Sequence, residues 1–280
     1  MWLEDQDIDE LVQIGGLIRF SCPFENSGYG GYKWRFGTLD EELATLFSEE
    51  RMEERFRYFE NTCLHTLKKQ TAKNFTIGIM IGENMPAKYR ERIENDLADF
   101  PQAKLLPMPI QPYKASIKQS FEQIFDKDTP LRLSFRLDDD DAVALDFIEE
   151  VTAKLPQMIA LSGAIDPIAL SFLKKFTLFG PEGAREISAK VDGNPLGLGL
   201  CVLAPAGNDV DAYTQIHFRI QMHMQTIMDM RPMMNLRSFH TSNDSEMSKK
   251  GGRDLGYNEE KIREVLKKRF DLDMDELLAL

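Results

Sequence analysis

The chain has 280 residues, a formal net charge of −12, and 42% hydrophobic and 29% charged residues. That length and apolar content suffice for one large buried core with a charged surface. The negative charge repels nucleic-acid phosphate and anionic lipid and excludes both as non-specific partners, so a nucleotide needs local help from a metal or a basic pocket.

Residues 14–21 (IGGLIRFS) form a short apolar run that reads as a first strand, followed by a Gly-, Tyr- and Asn-rich loop over 22–38. Residues 39–69 have helical periodicity, with Phe56, Phe59, Cys63, Leu64 and Leu67 on one face. A second strand follows at 74–82 (NFTIGIMIG), and Pro86 opens a helix to about residue 99. Residues 104–109 read as a third strand and 116–125 as a helix. Residues 131–137 (LRLSFRL) read as a fourth strand, which leads into Asp138, Asp139, Asp140 and Asp141. A helix is expected at 142–154. This alternation predicts an α/β fold with a mostly parallel central sheet flanked by helices. Such sheets bind ligands outside the carboxyl ends of their strands, where the aspartates sit.

The second half is less regular. Strands are expected at 158–164, 187–190 and 198–203, and a helix at 212–230 from the spacing of Ile216, Ile220, His223 and Ile227. Residues 241–256 read as a loop, and 259–278 as an amphipathic helix interrupted near 271–273. No Pro/Ser linker divides the chain, so 1–256 reads as one domain, with halves at about 14–155 and 156–256, and 257–280 as a C-terminal amphipathic helix.

Four adjacent carboxylates repel one another unless solvated or neutralised. An acidic turn capping the next helix accounts for one or two of them. A hard divalent cation accounts for more, because Mg²⁺ and Mn²⁺ take one or two carboxylates and complete their shell with water and substrate phosphate. An EF-hand loop is excluded, since the sixth position from Asp138 is Val143 rather than Gly.

The order of these parts resembles a known family. Residues 66–75 (TLKKQTAKNF) before TIGIMIG, and LDDDDA at 137–142, are similar to the corresponding segments of GT-A glycosyltransferases, the second to their metal-binding Asp-x-Asp motif. RFSCPFE near the N-terminus together with FRLDDDDAVALDFI resembles a bacterial family of "putative rhamnosyltransferases". The resemblance implies a GT-A-like (Rossmann-like) catalytic domain, its first half for the nucleotide-sugar and its second for the acceptor. It places Asp138 near the nucleotide ribose and in the metal site, and Asp140 on the metal. Asp139 falls at the variable position and Asp141 is an extra acid. The implied activity is metal-dependent transfer of a sugar, rhamnose by the family's name, from a nucleoside diphosphate to a glycan or lipid acceptor. The implied cofactor is Mn²⁺ or Mg²⁺. After its second strand the chain has Gly82-Glu83-Asn84 where the commonest GT-A enzymes have Asp-Asp-Gly-Ser. Glu83 then stands in for the base-contacting carboxylate, and uridine, thymidine and guanosine donors all stay open.

Arg19, Arg136 and Lys33 are suited to phosphate. Arg136 precedes Asp138 by two residues, so strand alternation points both to one face, for phosphate or for an ion pair with the acidic run. The loop at 27–34 (SGYGGYKW) reads as a flap over the nucleotide or as an ordinary surface loop; it lacks P-loop spacing. By analogy with GT-A enzymes His240 completes the metal site; otherwise it is an exposed loop histidine. His65, His217 and His223 read as structural. The methionines from 222 to 234 read as flexible core or as an acceptor groove. An inverting transferase needs a general base. Asp166, Glu182, Asp192 and Asp209 are available in second-half loops, and Asp166 is selected; a retaining mechanism needs none. The three cysteines, Cys22, Cys63 and Cys201, form no CxxC pair and read as buried thiols in a reducing cytosol. With no signal peptide or spanning segment the expected place is the cytoplasm, or the inner membrane face if the product is an envelope polysaccharide or lipid. A nucleotidyltransferase and a non-catalytic acidic binding protein remain as alternatives.

Overall fold

The computed structural model describes residues 8–25, 38–240 and 252–280. The glycine-rich loop at 27–34 with Lys33, and most of the 241–256 loop, lie outside the described residues.

The first half follows the sequence pattern. A short helix α1 (Ile8–Leu11) leads into β1 (Val12–Arg19). Next come α2 (Leu39–Leu46), α3 (Glu49–Tyr58), a π-helical turn (Phe59–Cys63) and α4 (Leu64–Lys68). Then β2 (Thr76–Gly82), α5 (Ala87–Leu97), β3 (Ala103–Met108), α6 (Tyr113–Ile124) and β4 (Leu131–Asp138) alternate. A capping box at Thr38 and Glu41 fixes the start of α2. Strands β1, β2, β3 and β4 are parallel in the order β4-β1-β2-β3. Their side chains are buried on both faces, Ile14, Ile18, Ile79, Leu133 and Phe135 on one and Leu17, Met80 and Leu106 on the other, as a sheet covered by helices requires.

The second half departs from expectation in three of the predicted elements, and the strand Ile168–Phe179 has no counterpart among them. Residues 142–154 are not one helix: Ala142–Val143 form a short strand β5, and α7 runs from Phe147 to Ser162. The expected strand at 158–164 is the last turn and C-cap of α7. That helix carries Pro156 in its interior, the residue that makes it look finished at 154, and ends on Gly163 at φ +64°. The expected helix at 212–230 is a 3₁₀ segment (His217–Met222) followed by β9 (Gln225–Ser238). Its apparent helical spacing is overridden by long-range pairing: β9 lies parallel along β6 (Ile168–Phe179), from Ile168↔Gln225 to Leu178↔Ser238. Strands β7 (Glu186–Val191) and β8 (Leu200–Pro205) are as read, and both pair antiparallel with β6. Strand β8 joins the halves by pairing antiparallel with β4. A short β10 (Arg253–Asp254), α8 (Glu259–Phe270) and α9 (Met274–Ala279) complete the chain, the last two separated by Asp271 at φ +51°. The main core cluster takes in residues from Leu11 to Leu280, so α8 and α9 pack on the same core as both halves.

Two features position the site. Register places Arg19 of β1 directly beside Asp138 of β4 at the carboxyl ends of both strands. That register depends on close approach at Gly16: a Cβ there would stand 2.2 Å from the Phe135 ring and 2.4 Å from Ile77 Cδ1. Gly16→Ala is therefore expected to cost about 1–3 kcal/mol by overpacking, read as a lower denaturation midpoint at unchanged m-value; an unaltered midpoint would show that β1 and β4 can separate freely.

Candidate active site

The aspartates line a cavity of about 210 Å³ at the carboxyl end of β4. Five arginines line it with them: Arg19, Arg51, Arg55, Arg136 and Arg237. Each aspartate has a separate environment. Asp138 Oδ1 accepts from Arg19 Nη2 at 3.1 Å and lies 3.9 Å from Arg136 Nη2. Burial would raise its pKa, but the two guanidiniums outweigh burial and hold it at about 2. Both arginines rest on Tyr213, at 5.6 Å (Arg19) and 4.7 Å (Arg136) from its ring centre, and the Tyr213 hydroxyl donates to the Leu17 carbonyl at 2.6 Å.

Asp139 turns to the opposite side and takes a two-pronged hydrogen bond from Arg55, whose Nε donates to Oδ2 at 2.9 Å. Burial still raises this carboxyl to about 6 against the pull of Arg55. Asp140 Oδ2 lies 2.9 Å from His240 Nε2 and 3.5 Å from Arg55 Nη1. The other ring nitrogen of His240 faces Glu54 Oε2 at 3.3 Å, and Tyr58 stacks on the ring with centroids 4.3 Å apart. Asp141 is buried, and its Oδ1 accepts from the Ser238 amide at 2.9 Å. Burial, then the neighbouring carboxylates, push its pKa well up, which marks it as a staple between the acidic run and β9. It caps no helix, since α7 begins only at Phe147.

These contacts have structural causes. The antiparallel pairing of β5 with β9, Ala142↔Leu236, carries the chain on to place His240 over Asp140. The π-helical turn after α3 alters the helical repeat just where Thr62 Oγ1 meets the Asp140 carbonyl at 3.4 Å, a common use of π-bulges at functional sites. Gln70 locks the segment that follows the acidic run. Its amide nitrogen donates to the Ala144 carbonyl at 2.8 Å and its oxygen accepts from the Ile148 amide at 3.0 Å.

Arg19, Arg136, Asp138, Asp139, Asp140 and His240 are thus brought together. Two other selected residues are not. Glu83 is exposed on the turn after β2 and does not line the cavity. Asp166 is exposed beyond the far end of α7, next to Ile168, which pairs with Leu203 at the amino-end half of the β8–β4 ladder, so it faces the wrong end of the sheet. The error follows from reading the end of α7 as a strand. Asp192 pairs with Lys175 at 2.5 Å and Asp209 with Lys118 at 2.9 Å; Glu182 is exposed. The sequence reading missed Glu54, Arg55 and Tyr58. The available signal was Arg55, a charge set among Met52, Phe56 and Phe59 on the apolar stripe of α3 and the π-helical turn that follows it. It also placed His217 in a helix, whereas the imidazole lines the cavity. Cys22, Cys63 and Cys201 are buried and free. Cys22 touches the cavity, but burial raises its thiol to about 12, which leaves it unreactive.

The carboxylates suit Mn²⁺ or Mg²⁺, and the imidazole, a softer donor than Mg²⁺ prefers, favours Mn²⁺ of the two. Among the described residues no cluster of three such groups is preassembled. These ions do not require one, because substrate phosphate completes their shell. Asp140 and His240, in contact at 2.9 Å, are the pair that fits, with Asp138 beside them in the cavity.

A parallel half-sheet extended by antiparallel strands, with an acidic run at the carboxyl end of β4, agrees with the expected GT-A-like α/β architecture. The chain matches the family model described as "Putative rhamnosyl transferase" over residues 13–252 and belongs to that family. Solved structures similar to it include S. aureus TarS 1–349 in complex with UDP-GlcNAc (TM-score 0.43, 11% identity, covering 82% of this chain and 60% of that one). They also include a "putative nucleotide-diphospho-sugar transferase" from Desulfovibrio desulfuricans G20 (TM-score 0.38, 9% identity, 82% of each chain). The chain thus spans 60% of the length of the TarS fragment it matches. No curated protein matches it. Among the described residues no helix is long and apolar enough to cross a membrane.

Proposed function

We propose that this protein transfers a sugar from a nucleoside-diphosphate donor to a glycan or lipid-linked hydroxyl, with Mn²⁺ or Mg²⁺ held at Asp140 and His240. The observation that carries the reading is the meeting, in one cavity, of Asp138 and Asp140 with five arginines at the carboxyl end of a parallel strand. Arg19 and Arg136, held on Tyr213, offer fixed guanidinium donors to a diphosphate, for which Arg is suited by its planar fork. Asp138, kept ionised by the same arginines, accepts a ribose hydroxyl. Arg55 and Glu54 orient Asp140 and His240 from behind. The metal, when bound, neutralises charge that develops on the leaving diphosphate. Rhamnose as the transferred sugar rests on the family's description alone. Three buried free thiols agree with a reducing compartment, the cytoplasm, as the place of action.

Calorimetric titration of UDP, dTDP and GDP, each with Mn²⁺ and with EDTA, tests this. One nucleotide is expected to bind at least about tenfold more tightly with Mn²⁺, a difference of ~1.4 kcal/mol. If none of the three shows a metal-dependent affinity, the reading is wrong.

A further inference from the structure

We propose that His217 is the general base that deprotonates the acceptor hydroxyl, and that the transfer therefore inverts the anomeric centre; this rests on the glycosyltransferase reading above. The cavity leaves few alternatives. Its only lining carboxylates among the described residues are the four aspartates, and each is engaged: Asp138 by Arg19, Asp139 by Arg55, Asp140 by His240, Asp141 by the Ser238 amide. His217 lines the same cavity, and among the described residues no hydrogen bond reaches either of its ring nitrogens. Gly197 backs the ring: His217 Nδ1 lies 3.4 Å from where a Cβ on Gly197 would stand. The flanking Ile216 and Phe218 are exposed, which sets His217 at the rim on the second-half side, where an acceptor arrives.

The charges around His217 favour its neutral form. Burial first, then Arg136, Arg237 and Lys175 lower its pKa to about 4, with Asp138 opposing. A neutral imidazole has a lone pair to offer. The donor's diphosphate, seated on Arg136, adds negative charge nearby and strengthens that base only once the complex has formed. The acceptor O–H proton then passes to a ring nitrogen of His217 as the acceptor oxygen bonds to the anomeric carbon. The bond from that carbon to the diphosphate oxygen breaks, and its electron pair leaves with the diphosphate. The imidazolium afterwards releases its proton to water.

The test uses His217→Ala and His217→Gln in the full chain, with UDP-, dTDP- and GDP-sugars as donors and water as acceptor. For the donor that the unaltered protein hydrolyses, both variants are expected to lose about a hundredfold or more in kcat. Their nucleoside-diphosphate affinity and melting temperature should stay unchanged, and added imidazole should restore part of the rate to His217→Ala. Undiminished hydrolysis overturns the assignment, as does a loss that tracks weakened nucleotide binding or a lowered melting temperature. If the unaltered protein neither binds nor hydrolyses any of the three donors, the glycosyltransferase reading fails and the base assignment with it.

Discussion

Arg55→Met is expected to lower the unfolding free energy by about 3–5 kcal/mol at pH 8, the range for breaking a buried ion pair from one side. Arg55 is 7% exposed and Asp139 1% exposed, so the carboxylate left behind is largely shielded from water. The variant can escape part of that cost by protonating Asp139. This carboxyl already titrates near 6, burial having raised it, so its charged form is the destabilising one. Stability held by the neutral form is present at low pH and lost as pH rises through that value. Removing Arg55 raises the pKa further. The deficit of Arg55→Met should consequently shrink between pH 8 and pH 5, and urea denaturation at both values measures it. Arg55→Lys should recover only part of the loss, since a point charge cannot reproduce the two-pronged contact. Adding Asp139→Asn to Arg55→Met should recover more, because no buried charge is then left. A deficit below about 1 kcal/mol at pH 8 would mean that water or another cation reaches Asp139.

The same pair shows what a sequence reveals and what it hides. The parallel half was legible because each strand is a short buried run bounded by turn residues and followed by helical spacing. Arg19, Arg136 and the aspartates could be assigned to one strand-end site on alternation and position. The second half was not, because β6 and β9 are specified by each other across more than fifty residues and not by their own periodicity. Without that pairing, 212–230 presents isoleucines at helical intervals, and His217 goes with them into a false helix. Glu83 and Asp166 failed for a related reason: loop position says which residues are exposed, not which end of the sheet they reach. His240 reaches Asp140 only because β5 pairs with β9, so the residues on its own loop gave no sign of the contact.

Asp140→Asn is expected to reduce nucleotide-sugar turnover by about a hundredfold or more, corresponding to ~3 kcal/mol of transition-state stabilisation. The substitution keeps volume and one acceptor oxygen, so the contacts of Oδ2 with His240 and Arg55 need not collapse. What it removes is the negative charge that attracts a divalent cation. Affinity for Mn²⁺ in the presence of the nucleoside diphosphate should fall in step with the rate. His240→Ala should act in the same direction, since its Nε2 faces the same carboxylate oxygen. Because the two groups serve one ion, the double variant should be little worse than either single one. Additive losses would separate them and assign His240, clamped by Glu54 and stacked on Tyr58, to holding the loop after β9. Asp140→Asn that keeps more than half the rate at saturating Mn²⁺ would remove the acidic run from the chemistry and leave the arginines alone to carry the diphosphate.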